Sequence, residues 1–208
     1  MKLYEFGPTR SIRARWTLQE LGVPFEAVTV DLFSGEHKKP EYLAVNPAGK
    51  LPALVDGDFV LTESVAIVLY LADKYPEKRL LPEDPKGRAE ATKWLLFTAT
   101  ELEQPLWRIS KHTALYPTDK RIPAEIENAK GDFRAMACVM EKHLAGRDFV
   151  VGDAVTVADF VLAYTLDWAN EVKLLEGTPN LVRYFTSMYA RPHAAPRIAQ
   201  AFSAVRNR

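Results

Sequence analysis

The chain is poor in several features that would place it quickly. It carries one cysteine, Cys138, among 208 residues, so no disulfide can close within it, which agrees with a reducing compartment. No run reaches the roughly 18 apolar residues of a membrane helix. No basic-then-apolar leader shows either, because Met1-Lys2-Leu3-Tyr4 runs straight into a β-prone stretch. A cytoplasmic protein is the expectation. Charge of one sign is also lacking: Lys and Arg number 27, as do Asp and Glu. That balance removes any bulk electrostatic case for nucleic acid or an anionic membrane, and favours small molecules or proteins as partners. Repeats and low-complexity tracts are absent. Cys138 lies in the helical pattern RAMACVMEKHL and is expected to be a small core hydrophobe.

What is present is enough apolar material, 48% of residues, for one large or two small domains. Lys2 to Phe6 is β-prone. Ser11 to Leu21 sets Ile12, Trp16 and Leu18 among charges at helical spacing and ends at Gly22, a stop signal. Phe25 to Leu32 alternates like a strand, which completes a β-α-β unit. A short helix over Glu41 to Val45 ends at Asn46-Pro47. Leu51 to Val55 and Phe59 to Leu61 read as strands joined through Asp56-Gly57-Asp58, a hairpin signal. Ser64 to Tyr75 is a strongly apolar helix, so a β-β-α unit follows the first. Residues 77–87, rich in proline and charge, read as a stiff linker between a first domain over 1–76 and a second over 88–208. In the second, helical patterns run over Arg88 to Ala114, Ala124 to Ala145, Val157 to Asn170, Leu181 to Ala190 and Ala194 to Ala204, and strand signals almost vanish. Thr156 at the N-cap, Asp159 three residues on, and Val155 with Phe160 form a capping-box variant with a hydrophobic staple.

Two stretches of the first domain point to a guest. NPAGKLPAL, Asn46 to Leu54, places Pro52 in an apolar run just before a strand, where proline cannot donate to a ladder and marks a bend or an edge. With a cis Leu51-Pro52 bond, the N–H and C=O of Leu51 can face outward and pair with an extended ligand as an added strand would; a trans proline would make an ordinary turn. In FVLTES, Ser64 opens a helix, so its hydroxyl and the first free N–H groups can receive a carboxylate. Glu63 beside it can receive an ammonium group. The pair suits the α-amino-acid end of a zwitterion, although Ser64 could also serve only as an N-cap.

These motifs in this order, N-P-x-G-K-L-P-A-L, then T-E-S-x-A-I, a linker, and T-x-A-D in a helical second half, resemble the soluble glutathione transferases along essentially the whole chain. The resemblance implies an α+β thioredoxin-like domain, β-α-β then β-β-α, followed by an all-α domain. It implies glutathione as co-substrate, no metal, and a homodimer. Leu51, preceding Pro52, would pair by backbone with the cysteinyl part of glutathione; Glu63 and Ser64 would hold the γ-glutamyl group; Lys50 would contact a carboxylate, and Lys39 or Lys38 the glycine end. The activity implied is attack of the glutathione thiolate on an apolar electrophile. Glutathione-dependent disulfide or peroxide reduction, and a non-catalytic binding or scaffold role, are the alternatives.

A free thiol has a pKa of about 8.5, so the enzyme must stabilise its anion. The loop Gly7-Pro8-Thr9-Arg10-Ser11 supplies hydroxyls, a cation and a helix N-terminus for that purpose. Ser11 stands first as the start of the helix, Thr9 second, where serine-type and nu-class relatives place a hydroxyl with Arg13 four residues on, and Arg10 third. Arg10 stands where the beta class usually has cysteine, which speaks against a mixed disulfide with the protein. Tyr4 differs in placement from the tyrosine classes. The second substrate is expected between the domains, against Trp107, His112, Tyr116 and Trp168. Glu101, Glu103 and Gln104 are candidates to complete a partner's site, and Trp94 and Phe97 to pack at the dimer seam or in the core.

Overall fold

A computed structural model describes residues 1–206. Asn207 and Arg208, the end of the expected second domain, lie outside the described residues. The chain divides into two compact units, Met1–Leu81 joined by the segment that starts at Tyr189, and Pro82–Met188.

The first unit is built on a four-stranded mixed sheet in the order β2-β1-β3-β4. β1 (Lys2–Glu5) pairs in parallel with β2 (Glu26–Thr29) and antiparallel with β3 (Ala53–Asp56), which forms a hairpin with β4 (Phe59–Thr62). Between the parallel strands runs α1 (Ser11–Leu21), closed by Gly22 at φ 68° as the sequence predicts. The hairpin turn is made by Gly57 and Asp58, since Asp56 lies opposite Phe59. α3 (Ser64–Lys74) follows β4 and packs on α1, while the short α2 (Pro40–Leu43) sets Tyr42 against Tyr4 with ring centroids 5.9 Å apart. Strand alternation separates the neighbours: Leu3 and Glu5 are buried, whereas Tyr4 is partly exposed and joins the Phe6, Val30, Tyr42 and Leu51 cluster.

The end of the chain returns to this unit. Arg191 makes a two-pronged pair with Glu20 on α1, 2.9 Å for each bond, and the Trp16 indole donates to the same carboxylate. Burial alone would push the Glu20 carboxyl up; the bonds from Arg191 and Trp16 outweigh it and hold the group below its ordinary range. The last helix, α9 (Ile198–Arg206), thereby reaches the β1–α1 loop.

The second unit is helical. α4 (Pro85–Phe97) starts earlier than the linker reading allows: Asp84 accepts from the N–H groups of Lys86 and Gly87, and Pro85 occupies the first helical position. Asp followed by Pro is a helix start that a proline count mistakes for a linker. The single helix expected over Arg88 to Ala114 is α4 and α5 (Glu103–Ser110) with two wider turns, Thr98–Leu102 before α5 and Lys111–Leu115 after it. Pro105 has no N–H for the usual bond, and the wider turn before it lets the Glu103 N–H reach Thr98. α6 (Pro123–His143) buries Ala129, Phe133, Ala137 and Met140. Cys138 falls one residue beyond that stripe and is exposed, so its expected place in the core is overturned.

α7 (Val157–Glu171) begins with the predicted capping box. Its Asp159 is wholly buried and does more than cap: besides the Thr156 N–H and hydroxyl, it accepts from the Val150 N–H at 2.8 Å and from the Tyr184 hydroxyl of α8 (Pro179–Tyr189) at 2.8 Å. Four donors on one buried carboxylate tie α7 to α8 and to the loop after α6. Asp159→Ala strands them together, and is expected to cost about 3 kcal/mol or more of unfolding free energy in a urea titration. A loss of only about 1 kcal/mol would reduce Asp159 to an ordinary cap.

Candidate functional site

The NPAGK stretch is a bracket for one carbonyl. Asn46 accepts the Ala48 N–H on its side-chain oxygen at 3.0 Å and turns its amide nitrogen to the Lys50 C=O at 2.6 Å. The Tyr42 hydroxyl donates to the same carbonyl at 2.5 Å. Burial pushes the Tyr42 phenol up to about 12, so it remains a donor throughout the physiological range. Gly49 makes the turn between them at φ 60°, and a Cβ there would lie 3.0 Å from the His37 carbonyl oxygen. With Lys50 pinned, Leu51 follows. Its side chain is buried in the Phe6, Val30 and Tyr42 cluster, and its peptide bond to Pro52 is cis. The N–H and C=O of Leu51 make no hydrogen bond among the described residues.

The start of α3 supplies the second part. The N-cap position belongs to Glu63 and not to Ser64, which corrects the N-cap reading of Ser64; no side chain caps the helix. Glu63 sits at φ 67°, ψ 112°, a region that non-glycine residues avoid unless their surroundings impose it. Its side chain is exposed. Ser64 is 4% exposed, and its Oγ accepts from the Arg13 guanidinium of α1 at 3.2 Å. The first N–H groups of α3 lack intrahelical partners by construction. An exposed carboxylate, a hydroxyl and uncapped N–H groups thus meet at one helix end.

The third part is the β1–α1 loop. Thr9 Oγ1 donates to the Phe6 C=O at 2.8 Å and lies 2.8 Å from Ser11 Oγ, which accepts the Phe6 N–H at 3.2 Å. The Ser11 N–H also reaches Thr9 Oγ1, at 3.2 Å. Since the Thr9 proton is on Phe6, the Ser11 proton belongs on Thr9. Ser11 is 1% exposed, while Thr9 and Arg10, the N-cap of α1, are half-buried. α9 covers the side of this loop: a Cβ on Gly7 would meet Ala201 at 3.3 Å, and Val205 joins the Leu51 cluster.

Lys39 and Lys38 are exposed in the turn before α2, Lys39 being 3.9 Å from Glu36, and Lys50 is exposed as well. In the second unit the four aromatic candidates form two pairs. Trp107 and Trp168 meet edge to face at 6.4 Å, and His112 and Tyr116 do so at 5.1 Å. The His112 Nδ1 accepts the Ile122 N–H, which places the proton of the neutral ring on Nε2. Glu103 is 3% exposed within its own chain, whereas Glu101 and Gln104 are exposed. Trp94 is packed against Phe97 and stacked on His143 at 4.0 Å. Sequence reasoning missed the roles of Tyr42 and Asn46, and it placed the helix expected over Ala194 to Ala204, here α9, in the second domain and not against the first unit. The signal for Asn46 was an Asn-Pro turn of the kind that bonds its own backbone two residues on; nothing local marked where α9 packs.

An unpaired backbone segment before Pro52 at the entry to β3, followed by an uncapped helix start, and then a second unit made of helices, defines a thioredoxin-like protein of the glutathione-handling class. The family model for the glutathione S-transferase N-terminal domain matches residues 1–73, and that for the C-terminal domain matches 106–192. The chain belongs to the glutathione S-transferase family. It is 36% identical over 199 residues to glutathione S-transferase GstA of Escherichia coli, covering 92% of this chain and 94% of that one. Among solved structures it is similar to a glutathione S-transferase from Xylella fastidiosa, with a TM-score of 0.84, 30% identity and coverage of 98% and 97%. It is also similar to a glutathione transferase from Burkholderia graminis that holds two glutathione molecules per subunit, with a TM-score of 0.83, 26% identity and coverage of 98% and 87%.

Gly49→Ala forces a side chain into left-handed backbone and against the His37 carbonyl. It is expected to cost about 1 to 3 kcal/mol in urea unfolding, and to weaken glutathione binding in calorimetry by moving Lys50 and Leu51. Unchanged values for both would show that the bracket does not set the Leu51 edge.

Proposed function

We propose that the protein is a glutathione transferase which binds glutathione along Leu51 and the start of α3, and activates its thiol for attack on an apolar electrophile. The observation that carries this reading is the unpaired Leu51 backbone in the same unit as Ser64 and the uncapped α3. Leu51 pairs with the cysteinyl backbone as an added strand, beside Pro52. Glu63 takes the γ-glutamyl ammonium, and Ser64 with the first α3 N–H groups takes its carboxylate. Lys50 and Lys39 face the remaining carboxylate.

For the thiol, the hydroxyl in front is that of Thr9, with Ser11 behind it. Thr9 turns its proton from the Phe6 carbonyl to the sulfur, while Ser11 keeps donating to Thr9; Arg10 and the α1 N-terminus add positive potential. Trp107 and Trp168, with His112 and Tyr116, offer aromatic surface for the second substrate. The same reading gives residues 1–76 to glutathione and the helical unit Pro82–Met188 to the second substrate, in place of the linker over 77–87 and the second domain over 88–208 that the sequence suggests; a cytoplasmic location and a homodimer belong to it as well. Exposed Phe59, Val60 and Leu96, at 45%, 44% and 54%, are apolar surfaces that a second copy could cover. The two glutathione molecules in the Burkholderia protein favour a second reading, in which the other substrate is a glutathione disulfide.

Ultraviolet difference titration of glutathione across pH tests the proposal, because the thiolate absorbs. A bound thiol with an apparent pKa below the free value of about 8.5 is expected. Thr9→Ala is expected to raise that pKa by about one unit, and Ser64→Ala to leave it in place while weakening binding by about 1 to 3 kcal/mol. Binding without thiolate would favour the reductase reading, and no binding would leave a scaffold. A rise in pKa with Ser11→Ala but none with Thr9→Ala would exchange the roles of the two hydroxyls.

A further inference from the structure

Arg13 is among the largest fully buried side chains of the molecule, 1% exposed on α1. Removing a guanidinium from water costs several kcal/mol, and an apolar side chain of similar volume would often serve stability as well. One of its contacts, with Ser64, bears on ligand binding. A guanidinium N–H can only donate, so at 3.2 Å the Ser64 oxygen must be the acceptor. One lone pair is then occupied, and the single hydroxyl proton points elsewhere. No acceptor among the described residues takes that proton. The hydroxyl stands at the first residue of α3, where no side chain caps the helix.

We infer that Arg13 is a positioning residue that turns Ser64 into a donor only, and so makes the start of α3 select the α-carboxylate of the γ-glutamyl group. The inference rests on the proposed binding of glutathione at Ser64. A hydroxyl alone is indifferent, accepting from a cation or a water as readily as it donates to an anion. With Nη1 on its oxygen, Ser64 meets an incoming group proton first. The buried positive charge one bond behind it also polarises the O–H, which strengthens the bond to a carboxylate over one to a neutral acceptor. Arg13 does this without touching the ligand. Because it lies on α1, two residues after Ser11, one helix carries both the residue that orients the carboxylate anchor and the hydroxyl behind the thiol. Packing of α1 on α3 keeps the two ends of the tripeptide site in register.

The test is a double-mutant cycle on glutathione affinity with Arg13→Gln, Arg13→Lys and Ser64→Ala, each checked for folding by thermal unfolding. Arg13→Gln is expected to weaken glutathione about tenfold in the parent and less than about twofold in the Ser64→Ala background, because the effect passes through Ser64. Arg13→Lys, which keeps a charge and a donor, should recover part of the loss and serves as the variant if Gln fails to fold. A second probe is γ-aminobutyryl-cysteinyl-glycine, which lacks the carboxylate in question. Its affinity should be unchanged by the Arg13 substitutions, which a merely structural role for Arg13 would not allow. Equal weakening in both backgrounds, or equal weakening for both peptides, overturns the assignment while leaving glutathione binding intact. Failure of the parent protein to bind glutathione overturns the functional reading and this assignment with it.

Discussion

Two side-chain donors converge on one backbone oxygen: the Tyr42 hydroxyl and the Asn46 amide both bond the Lys50 carbonyl. That carbonyl would otherwise be free to rotate with the loop. Loops are ordinarily mobile because their backbone groups bond water, which exchanges partners readily. Here water has been replaced by two buried, directional donors, so the peptide plane of Lys50 is held and the next residue inherits its orientation. Leu51 then enters the Phe6 and Tyr42 cluster with its side chain while its backbone stays unpaired. An edge of this kind works only if it is rigid before the guest arrives, since ordering a loop on binding would consume the small free energy of two backbone hydrogen bonds. The bracket separates the two demands. The side chain stabilises the fold, and the backbone is left unpaired, as the proposed binding of glutathione requires.

The start of α3 follows the same logic with different parts. Glu63 is held in left-handed backbone and occupies the N-cap without capping, so the helix keeps its first N–H groups unspent. Ser64 is buried and bonded, yet only through its oxygen. The β1–α1 loop differs from both. Its hydroxyls and backbone close on themselves through Thr9, Ser11 and Phe6, which makes it a closed circuit that a ligand must enter by displacing one bond. On the proposed function, recognition of the constant peptide would use vacant partners, whereas activation of the thiol would use an occupied one that can be exchanged.

Much of this was legible because it is local. The hairpin, the α1 stop at Gly22 and the Thr156–Asp159 box each lie within a few residues of sequence, and each appears where its signal falls. The same locality explains the misses. Cys138 is one position away from the Phe133, Ala137 and Met140 stripe, a rotation of about 100° that a general helical pattern does not resolve. Pro85 was read as linker because proline marks helix starts as well as breaks. Ser64 was offered as a cap because serine is a good one and a glutamate at positive φ is not expected. Arg13 stood out by spacing alone; that it meets Ser64, 51 residues on, depends on the packing of two helices and has no sequence signature.

The return of the chain end to the first unit shows how distant residues come to govern the site. Without α9, the Gly7 side of the β1–α1 loop would be open and the position would tolerate a side chain. With Ala201 3.3 Å from where a Cβ would stand, a side chain there requires α9 to give by a few tenths of an ångström. Val205 adds apolar cover to the cluster that holds Leu51, so both the loop that carries the hydroxyls and the Leu51 backbone proposed to receive the peptide share one cover of side chains. The fastening is polar: Arg191 and Trp16 meet on Glu20, a carboxylate on the far end of α1 from the loop. A helix packed by apolar contact alone could slide along its neighbour, because such contacts are not directional. A two-pronged guanidinium pair is directional, and it sets where along α1 the last segment begins. The position of α9 over the loop then follows from the length of chain between Arg191 and Ala201. A residue near the end of the sequence therefore helps to define the walls of a site whose motifs all lie in the first third.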